Sequence, residues 1–266
     1  MSRAGGAPMT RALHAEWTKL RTVAGPGALL LAAAALTAAV GVAAANAVGC
    51  PGRACQVDPA KVSLTGIYLG QAVVAIVAVT AISGEYSTGM MRLTLTATPR
   101  RWRVLVAKAA VVGAATLAAG AVAVLASVLA GGVLLARHGI VPAHGYQALS
   151  LSQGAVLRAT AGSVLYLGLI ALLGLGVAAM IRDSAVAIGT VLGLLYLFPI
   201  VASLAGNPDW KRHLDQVSPM TAGLYIQATT DLRGLPLTPW QGLGVLAAWA
   251  AGAMLAGGLL LRFRDA

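Results

Sequence analysis

The sequence predicts an all-α membrane protein with six transmembrane helices. Of its 266 residues, 58% are hydrophobic and 10% are charged, whereas soluble domains carry about 25% charged residues. Six apolar runs, each of at least 21 residues, contain no Asp, Glu, Lys, Arg or His. About 20 apolar residues in a helix cross the hydrocarbon core of a bilayer, and a helix satisfies its own backbone hydrogen bonds there. The runs are residues 27–48, 62–82, 109–136, 159–181, 184–206 and 240–261.

We expect one polytopic domain over residues 1–266, because the connections between the runs are too short to fold as separate units. The longest connection, residues 207–239, has 33 residues. The first run has 22 residues, whereas the apolar region of a signal peptide has about 7–15. The first run is therefore interpreted as a retained span rather than a cleaved leader.

The distribution of basic residues predicts the orientation, because Lys and Arg are enriched in cytoplasmic loops. With the N-terminus inside, 12 of the 19 basic residues fall on the inner side and 7 on the outer side. Residues 83–108 alone carry five of the inner ones. We expect a multi-pass protein of the plasma membrane with both termini cytoplasmic. The net charge of +11 follows from this placement, and no recognised module indicates a nucleic-acid partner.

The only two cysteines, Cys50 and Cys55, lie in the predicted outer loop after the first run. Disulfides persist in an oxidising compartment, and a Pro-Gly pair between the cysteines can form a turn. A disulfide between them is the favoured interpretation. A pair of free thiols and a soft-metal site remain alternatives.

Residues 10–22 precede the first run and have an amphipathic pattern. Leu13, Trp17 and Leu20 are spaced at i, i+4 and i+7, which places them on one face of a helix. The pattern predicts a basic interface helix with Trp17 at headgroup depth. A basic tail without fixed structure is the alternative. Glu16 lies three residues before Lys19 and can pair with it.

Residues 83–103 are too polar to span a membrane and too apolar for a solvated loop. Apolar side chains among basic ones on an inner loop indicate a docking surface, and the alternative is a helix lying on the membrane. Pro99 should end any helix there. The apolar side chains are Met90, Met91, Leu93 and Leu95.

This stretch resembles the first cytoplasmic loop of type-two ABC exporter permeases. The resemblance rests on Gly-Glu-Tyr at 84–86, Gly89, Arg92-Leu93, Leu95, Pro99 and the later Lys108. Residues 16–22 are similar to the start of actinobacterial members. The resemblance implies that the loop forms a coupling helix docked on a separate cytoplasmic ABC ATPase. It also implies a connecting helix before the first span and a second permease half, either an identical or a homologous chain.

The residues expected to contact the ATPase are Glu85, Met90, Met91, Arg92, Leu93, Leu95 and Pro99. We expect Glu85 and Arg92 to fix the orientation of the loop through charged hydrogen bonds.

Two glycine pairs, Gly66-x-x-x-Gly70 and Gly189-x-x-x-Gly193, can let helix backbones approach each other. The resemblance implies that their spans, the second and the fifth, line the central pathway. Gln71 is among the few polar residues in the runs that could contact a substrate.

The long outer connection contains Ser218-Pro219, a typical helix N-cap followed by proline at the first helical position. A helix from this point to about Asp231 is too short to span. The resemblance implies short, re-entrant-like helices here that dip into the outer leaflet. A plain surface helix is the alternative.

The sequence contains no phosphate-binding Gly-x-x-x-x-Gly-Lys-Ser/Thr loop, and none of its four lysines follows a glycine. We expect no catalytic residues, no metal site and no cofactor on this chain, with ATP and Mg²⁺ bound by the partner ATPase. The apolar runs contain no ionisable residue for a proton relay. The favoured function is the permease subunit of an ATP-driven ABC exporter. An ion-coupled secondary transporter or channel is the alternative.

Overall fold

The computed structural model describes residues 9–22, 24–48, 57–87, 89–90, 101–141, 146–147, 149–204 and 206–263. Helices and turns make up the regular structure of these residues, and no strand occurs among them. Six of the helices are long and apolar enough to cross a membrane. The predicted all-α membrane fold with six spans is therefore confirmed.

The helices follow one another in a simple order, with the six spans being α2, α4, α5, α6, α7 and α10. Short 3-10 helices occur at Tyr225–Gln227 and Leu232–Gly234. The α-helices are α1 (Met9–Thr22), α2 (Ala24–Ala47), α3 (Pro59–Ser63), α4 (Ile67–Ser87), α5 (Arg101–Arg137), α6 (Gly154–Ile181), α7 (Ser184–Leu204), α8 (Pro208–Val217), α9 (Pro219–Leu224) and α10 (Pro239–Phe263).

The second and third spans differ most from the apolar runs that predicted them. The second run begins at residue 62, but that part of the chain forms the short helix α3, and α4 begins only at Ile67. At their other ends, α4 continues to Ser87 and α5 begins at Arg101. A helix extends past its apolar stretch wherever its polar side chains find partners, and these extensions carry the ionisable residues described below.

Helix α6 is the centre of the bundle. In its most apolar 18-residue window 67% of the residues are buried, against 22% for α7 and for α10. Its glycines allow α10 to approach closely. A Cβ added at Gly176 would lie 2.5 Å from the backbone carbon of Ala253, and one at Gly257 would lie 2.7 Å from the carbonyl oxygen of Gly176. Small residues at such crossings are typical of membrane helix pairs.

In the connection before α10, the predicted helix is shorter than expected, and an additional helix precedes it. The predicted helix from Pro219 to about Asp231 is wrong in length, since α9 ends at Leu224 and a 3-10 turn continues it only to Gln227. At Ala228 the backbone becomes extended, with φ −67° and ψ 125°. The preceding helix α8 was not predicted. Its start has Asn207 as N-cap and Pro208 at the first position.

Candidate functional site

The two ends of the helix bundle are formed by different helices. The terminal end holds α1, the last turn of α4, the first turns of α5 and the end of α10. The opposite end holds α3, α8 and α9. Each end contains one group of side chains joined by polar contacts, and a third such group lies in the middle of the bundle.

At the terminal end, four charged side chains from three helices form what we name the ion cluster: Glu16 and Lys19 of α1, Glu85 of α4 and Lys108 of α5. The Lys108 Nζ lies 2.6 Å from Glu16 Oε2 and 2.9 Å from Glu85 Oε1. The Lys19 Nζ lies 2.9 Å from Glu16 Oε1 and 2.8 Å from the same Glu85 oxygen. Each ammonium group therefore bridges both carboxylates, and the formal charges of the four groups sum to zero.

Three members of the ion cluster are almost completely buried. Lys108 is 3% exposed, and Glu16 and Glu85 are each 7% exposed. Charges removed from water are tolerated only when they are paired and hydrogen-bonded, and removing one partner leaves an uncompensated buried charge. The ion cluster therefore holds α1 against the point where the chain leaves α4 and the point where it enters α5.

Lys19 is the partly exposed member, and its pKa reflects its partners. Burial works to lower the pKa of Lys19, but hydrogen bonds and charge attraction from Glu85 and Glu16 outweigh it and raise the pKa above the ordinary 10.5. A raised pKa means that Lys19 contributes its full stabilisation below this ordinary value and loses it as the pH rises through the folded-state pKa. The Lys19 ammonium therefore stays charged throughout the physiological range.

The sequence indicated only part of the ion cluster. The pairing of Glu16 with Lys19 is present, but its extension to Lys108, 92 residues away from Glu16, was missed. The expectation that the spans lack ionisable residues is wrong at their ends, because the spanning helices include Glu85 and Lys108. A signal was available: Lys108 directly precedes an apolar run, where it needs an acidic partner.

Helix α1 occupies the segment predicted as an interface helix. Leu13 and Leu20 are half-buried, while Trp17 is 44% exposed. Glu16 is directed toward α4 and α5, where it joins the ion cluster. Whether Trp17 reaches the headgroups remains a prediction.

Several predicted residues lie outside the described part of the chain. Of the expected ATPase contacts, Glu85 belongs to the ion cluster and Met90 is 43% exposed. The role of these residues in docking stays a prediction. The predicted residues outside the description are Met91, Arg92, Leu93, Leu95 and Pro99, together with Cys50 and Cys55.

In the middle of the bundle, Gln71 of α4 connects three helices. Its side-chain oxygen accepts a hydrogen bond from the Tyr166 hydroxyl of α6. Its Nε2 donates to the Tyr196 hydroxyl of α7 at 3.3 Å and to the backbone oxygen of Tyr68 at 3.2 Å. The Tyr196 hydroxyl donates to that same Tyr68 oxygen. We name these four residues the polar network. Gln71 is fully buried, so in this conformation its side-chain amide forms hydrogen bonds within the protein rather than with a substrate.

The two predicted glycine pairs have opposite surroundings. A Cβ added at Gly66 would lie 1.8 Å from the carbonyl oxygen of Thr37 in α2, and one at Gly70 would lie 1.9 Å from the Thr37 hydroxyl. A Cβ at Gly189 or Gly193 of α7 would have no atom of the described chain within 4 Å. The first pair therefore contacts a helix of the same chain, whereas the second faces unfilled space, where Gly193 lines a groove between α6, α7 and α10.

At the opposite end, the Asp58 carboxylate fixes the extended segment 228–230. It accepts hydrogen bonds from the Thr229 amide at 2.6 Å, the Thr229 hydroxyl at 2.6 Å and the Thr230 amide at 3.1 Å. It also caps α3 by accepting from the amides of residues 60 and 61. Arg158 of α6 donates to the Ala228 carbonyl oxygen. We name this arrangement the clamp. It explains why the chain becomes extended at Ala228.

Two apolar grooves lie between the spans. One of about 850 Å³ lies between α6, α7 and α10, with Thr190 and Gln216 among its polar lining residues. Another of about 650 Å³ lies between α5, α6 and α10. Grooves of this size hold drug-sized ligands in other proteins. Among the residues that the structure describes, no three His, Cys, Asp or Glu side chains come together to hold a metal.

Comparison with known proteins agrees with this architecture. A family model described as ABC-2 family transporter protein matches residues 21–265, which is nearly the whole chain. No curated protein matches the sequence. With six helices able to span a membrane and a family match from before α2 to the end of α10, the chain belongs to the ABC-2 transporter family and is a membrane-spanning permease component of an ABC transporter.

Proposed function

We propose that this permease exports its substrate by coupling to ATP hydrolysis on a separate cytoplasmic ABC ATPase. The ion cluster is the observation that carries the proposal. It lies where the chain leaves α4 at Ser87 and re-enters a helix at Arg101, so it joins both ends of the connection in which a coupling helix is expected. Glu85 and Lys108 bond directly to each other there.

A force applied to the connection between α4 and α5 would act on α1, α4 and α5 together. A buried ion cluster resists separation of its members, because each separated charge would need a new partner. Movement of the connection would therefore displace α4, α5 and α1 as one unit. ATP binding that brings two ATPase subunits together then favours one arrangement of the spans through its differential affinity for the two states.

A second permease half completes the proposed pathway. In the most apolar stretch of α7 only 22% of the residues are buried. A Cβ built at Gly189 or Gly193 would have no atom of the described chain within 4 Å. A second copy, or a homologous chain, would cover this face of α7 and create a pathway between the halves. We place the terminal end in the cytoplasm and the protein in the plasma membrane, as the basic residues predict. ATP and Mg²⁺ then belong to the ATPase, and α9 with its 3-10 turn lies on the outer side.

The experiment is affinity purification of the tagged chain from its native membrane, followed by reconstitution. Recovery of an ABC ATPase and flux that requires ATP would support the proposal. Lys108→Met should abolish ATP-driven flux while the protein remains inserted. Lys61→Met, which removes an exposed lysine from α3, is the matched control. Flux driven by an ion gradient without ATP or an ATPase would overturn the proposal in favour of a secondary transporter.

A further inference from the structure

The turn between α6 and α7 has only two residues, Arg182 and Asp183, and both cap a helix. The Arg182 amide donates to the Ala178 carbonyl oxygen at 2.9 Å and ends α6. The Asp183 carboxylate accepts from the Val186 amide at 2.8 Å and begins α7. The turn cannot lengthen or rotate without breaking one of these caps. A displacement of Arg182 is therefore passed directly to the start of α7.

Arg182 has a backbone conformation that normally belongs to glycine. Its φ is 63°, in the left-handed region, which crowds any residue with a Cβ and where helix C-terminal caps are usually glycine. This chain has an arginine here although glycine would fit without strain. Strain of this kind at a position with a specific side-chain contact points to a use for that side chain.

The side chain of Arg182 stacks on the helix that leads into the connection between α4 and α5. Its guanidinium carbon lies 5.2 Å from the centre of the Tyr86 ring, a cation–π arrangement. Tyr86 is the last residue but one of α4 and follows Glu85 of the ion cluster. The turn between the fourth and fifth spans therefore contacts the residue beside the ion cluster.

Helix α7 is attached to α4 at a second level as well. Tyr196 of α7 is hydrogen-bonded to Gln71 and to Tyr68 of α4 in the polar network. Gln71 and Tyr86 are 15 residues apart, which is about 22 Å along a helix. Together with the packing of its buried residues Ala187, Val191 and Leu195, these two attachments hold α7 against α4.

We propose that Arg182 is a positioning residue that transmits movement of the connection between α4 and α5 to α7. This inference rests on the proposed coupling to an ATPase. Tyr86 moves with the ion cluster, Arg182 follows Tyr86 through the stacked guanidinium, and the doubly capped turn moves the start of α7. The transmission needs the aromatic ring of Tyr86 and the planar cation of Arg182.

The test uses the purified complex of the full chain with its ATPase, in a Cys50→Ser, Cys55→Ser background. Leu204→Cys, at the far end of α7, is labelled with a membrane-impermeant maleimide with and without ATP and vanadate. Leu204 is 79% exposed. Three quantities are measured: the ATPase recovered per permease, the rate of ATP hydrolysis and the ATP-dependent change in labelling rate.

Arg182→Ala should keep the first two quantities and reduce the ATP-dependent change in labelling about fivefold. Arg182→Lys keeps the positive charge but not the planar guanidinium group, so its ATP-dependent change in labelling should be intermediate. Tyr86→Phe should behave as wild type and Tyr86→Leu as Arg182→Ala. Arg262→Ala, which removes an exposed arginine from the same end, controls for lost positive charge and should change nothing.

An unchanged labelling response in Arg182→Ala and Tyr86→Leu, with a responsive wild type, would overturn the transmission role alone. Loss of the ATPase from Arg182→Ala would also overturn it, because Arg182 would then act in docking. If Arg182→Ala does not fold, Tyr86→Leu decides, since it leaves the turn and its charge intact. A wild-type chain without an ATPase or without an ATP response would refute the proposed function itself.

Discussion

The ion cluster and the clamp stabilise opposite ends of the same bundle by different chemistry. In the ion cluster, side chains of both signs from three helices bind one another, with Lys108 between Glu16 and Glu85. In the clamp, a single carboxylate, Asp58, is bound by amides and a hydroxyl of residues 229–230. The ion cluster joins helices to one another, whereas the clamp joins a loop to the helices beneath it.

This difference has mechanical consequences. Separating the members of the ion cluster would leave unpaired charges buried in the protein, so the three helices that carry them should move together. Opening the clamp replaces the amide and hydroxyl donors of residues 229–230 on the partly exposed Asp58 carboxylate with water, which is less costly. We therefore expect movement to be transmitted at the terminal end and the segment 228–230 to be released more readily at the opposite end.

The largest expected effect comes from breaking the ion cluster. Lys108→Met leaves Glu16 and Glu85 without the ammonium that bridges them, and we expect a loss of about 3–5 kcal/mol of stability. Thermal unfolding in detergent measures it. Glu16→Gln combined with Lys108→Met keeps the bond between Lys19 and Glu85 and should recover part of the loss. Equal stability of Lys108→Met and the control Lys61→Met would show that the cluster contributes no net stabilisation.

Breaking the clamp should have a smaller and more local effect. Asp58→Ala removes several hydrogen bonds to a charged acceptor, but water can reach the freed donors at this partly exposed position, so we expect a total loss of about 1.5–3 kcal/mol. Hydrogen exchange should accelerate in residues 224–234 and in α3, but not around the ion cluster. Asp209→Ala, which removes an exposed carboxylate from the same end, is the control. Acceleration at the terminal end would mean that the two ends are not independent.

The glycine pairs separate folding of one chain from assembly of two. Gly70→Leu would force its side chain onto Thr37, and overpacking of this kind costs about 1–3 kcal/mol. Its folded yield should fall. Gly193→Leu enters the open groove between α6, α7 and α10, so the single chain should stay folded while pairing with a second half across this groove weakens. Size-exclusion chromatography with light scattering measures both. An intact dimer of Gly193→Leu would place the partner surface elsewhere.

The smallest expected effect lies between the two ends. Tyr196→Phe removes the hydroxyl that accepts from Gln71 and donates to Tyr68, at a cost of about 0.5–1.5 kcal/mol. Its unfolding temperature should fall slightly. Phe198→Leu, on the same helix, controls for loss of an aromatic contact, since Phe198 packs against Trp249 instead. If Tyr196→Phe is as stable as wild type, α7 is held to α4 by packing alone.

Some features that the sequence did not predict had a readable signal. Helix α8 has Trp210, Leu214 and Val217 at i, i+4 and i+7 behind an Asn-Pro start, which is the same pattern that predicted α1. The end of α9 had no such signal. The helix stops where the segment 228–230 meets Asp58, which lies 171 residues earlier in the chain.

The class and the number of spans follow from the sequence alone, because the length and polarity of each run are local properties. The family follows from motif residues in the loop after the second span and from the match over residues 21–265. The partners of the charged and small residues do not. Identical Gly-x-x-x-Gly motifs face Thr37 in one helix and open space in another. Glu16 and Lys108 come together only because α1 packs across the start of α5. Which side chains meet is decided by how helices pack, and residues far apart in the chain carry no local record of that.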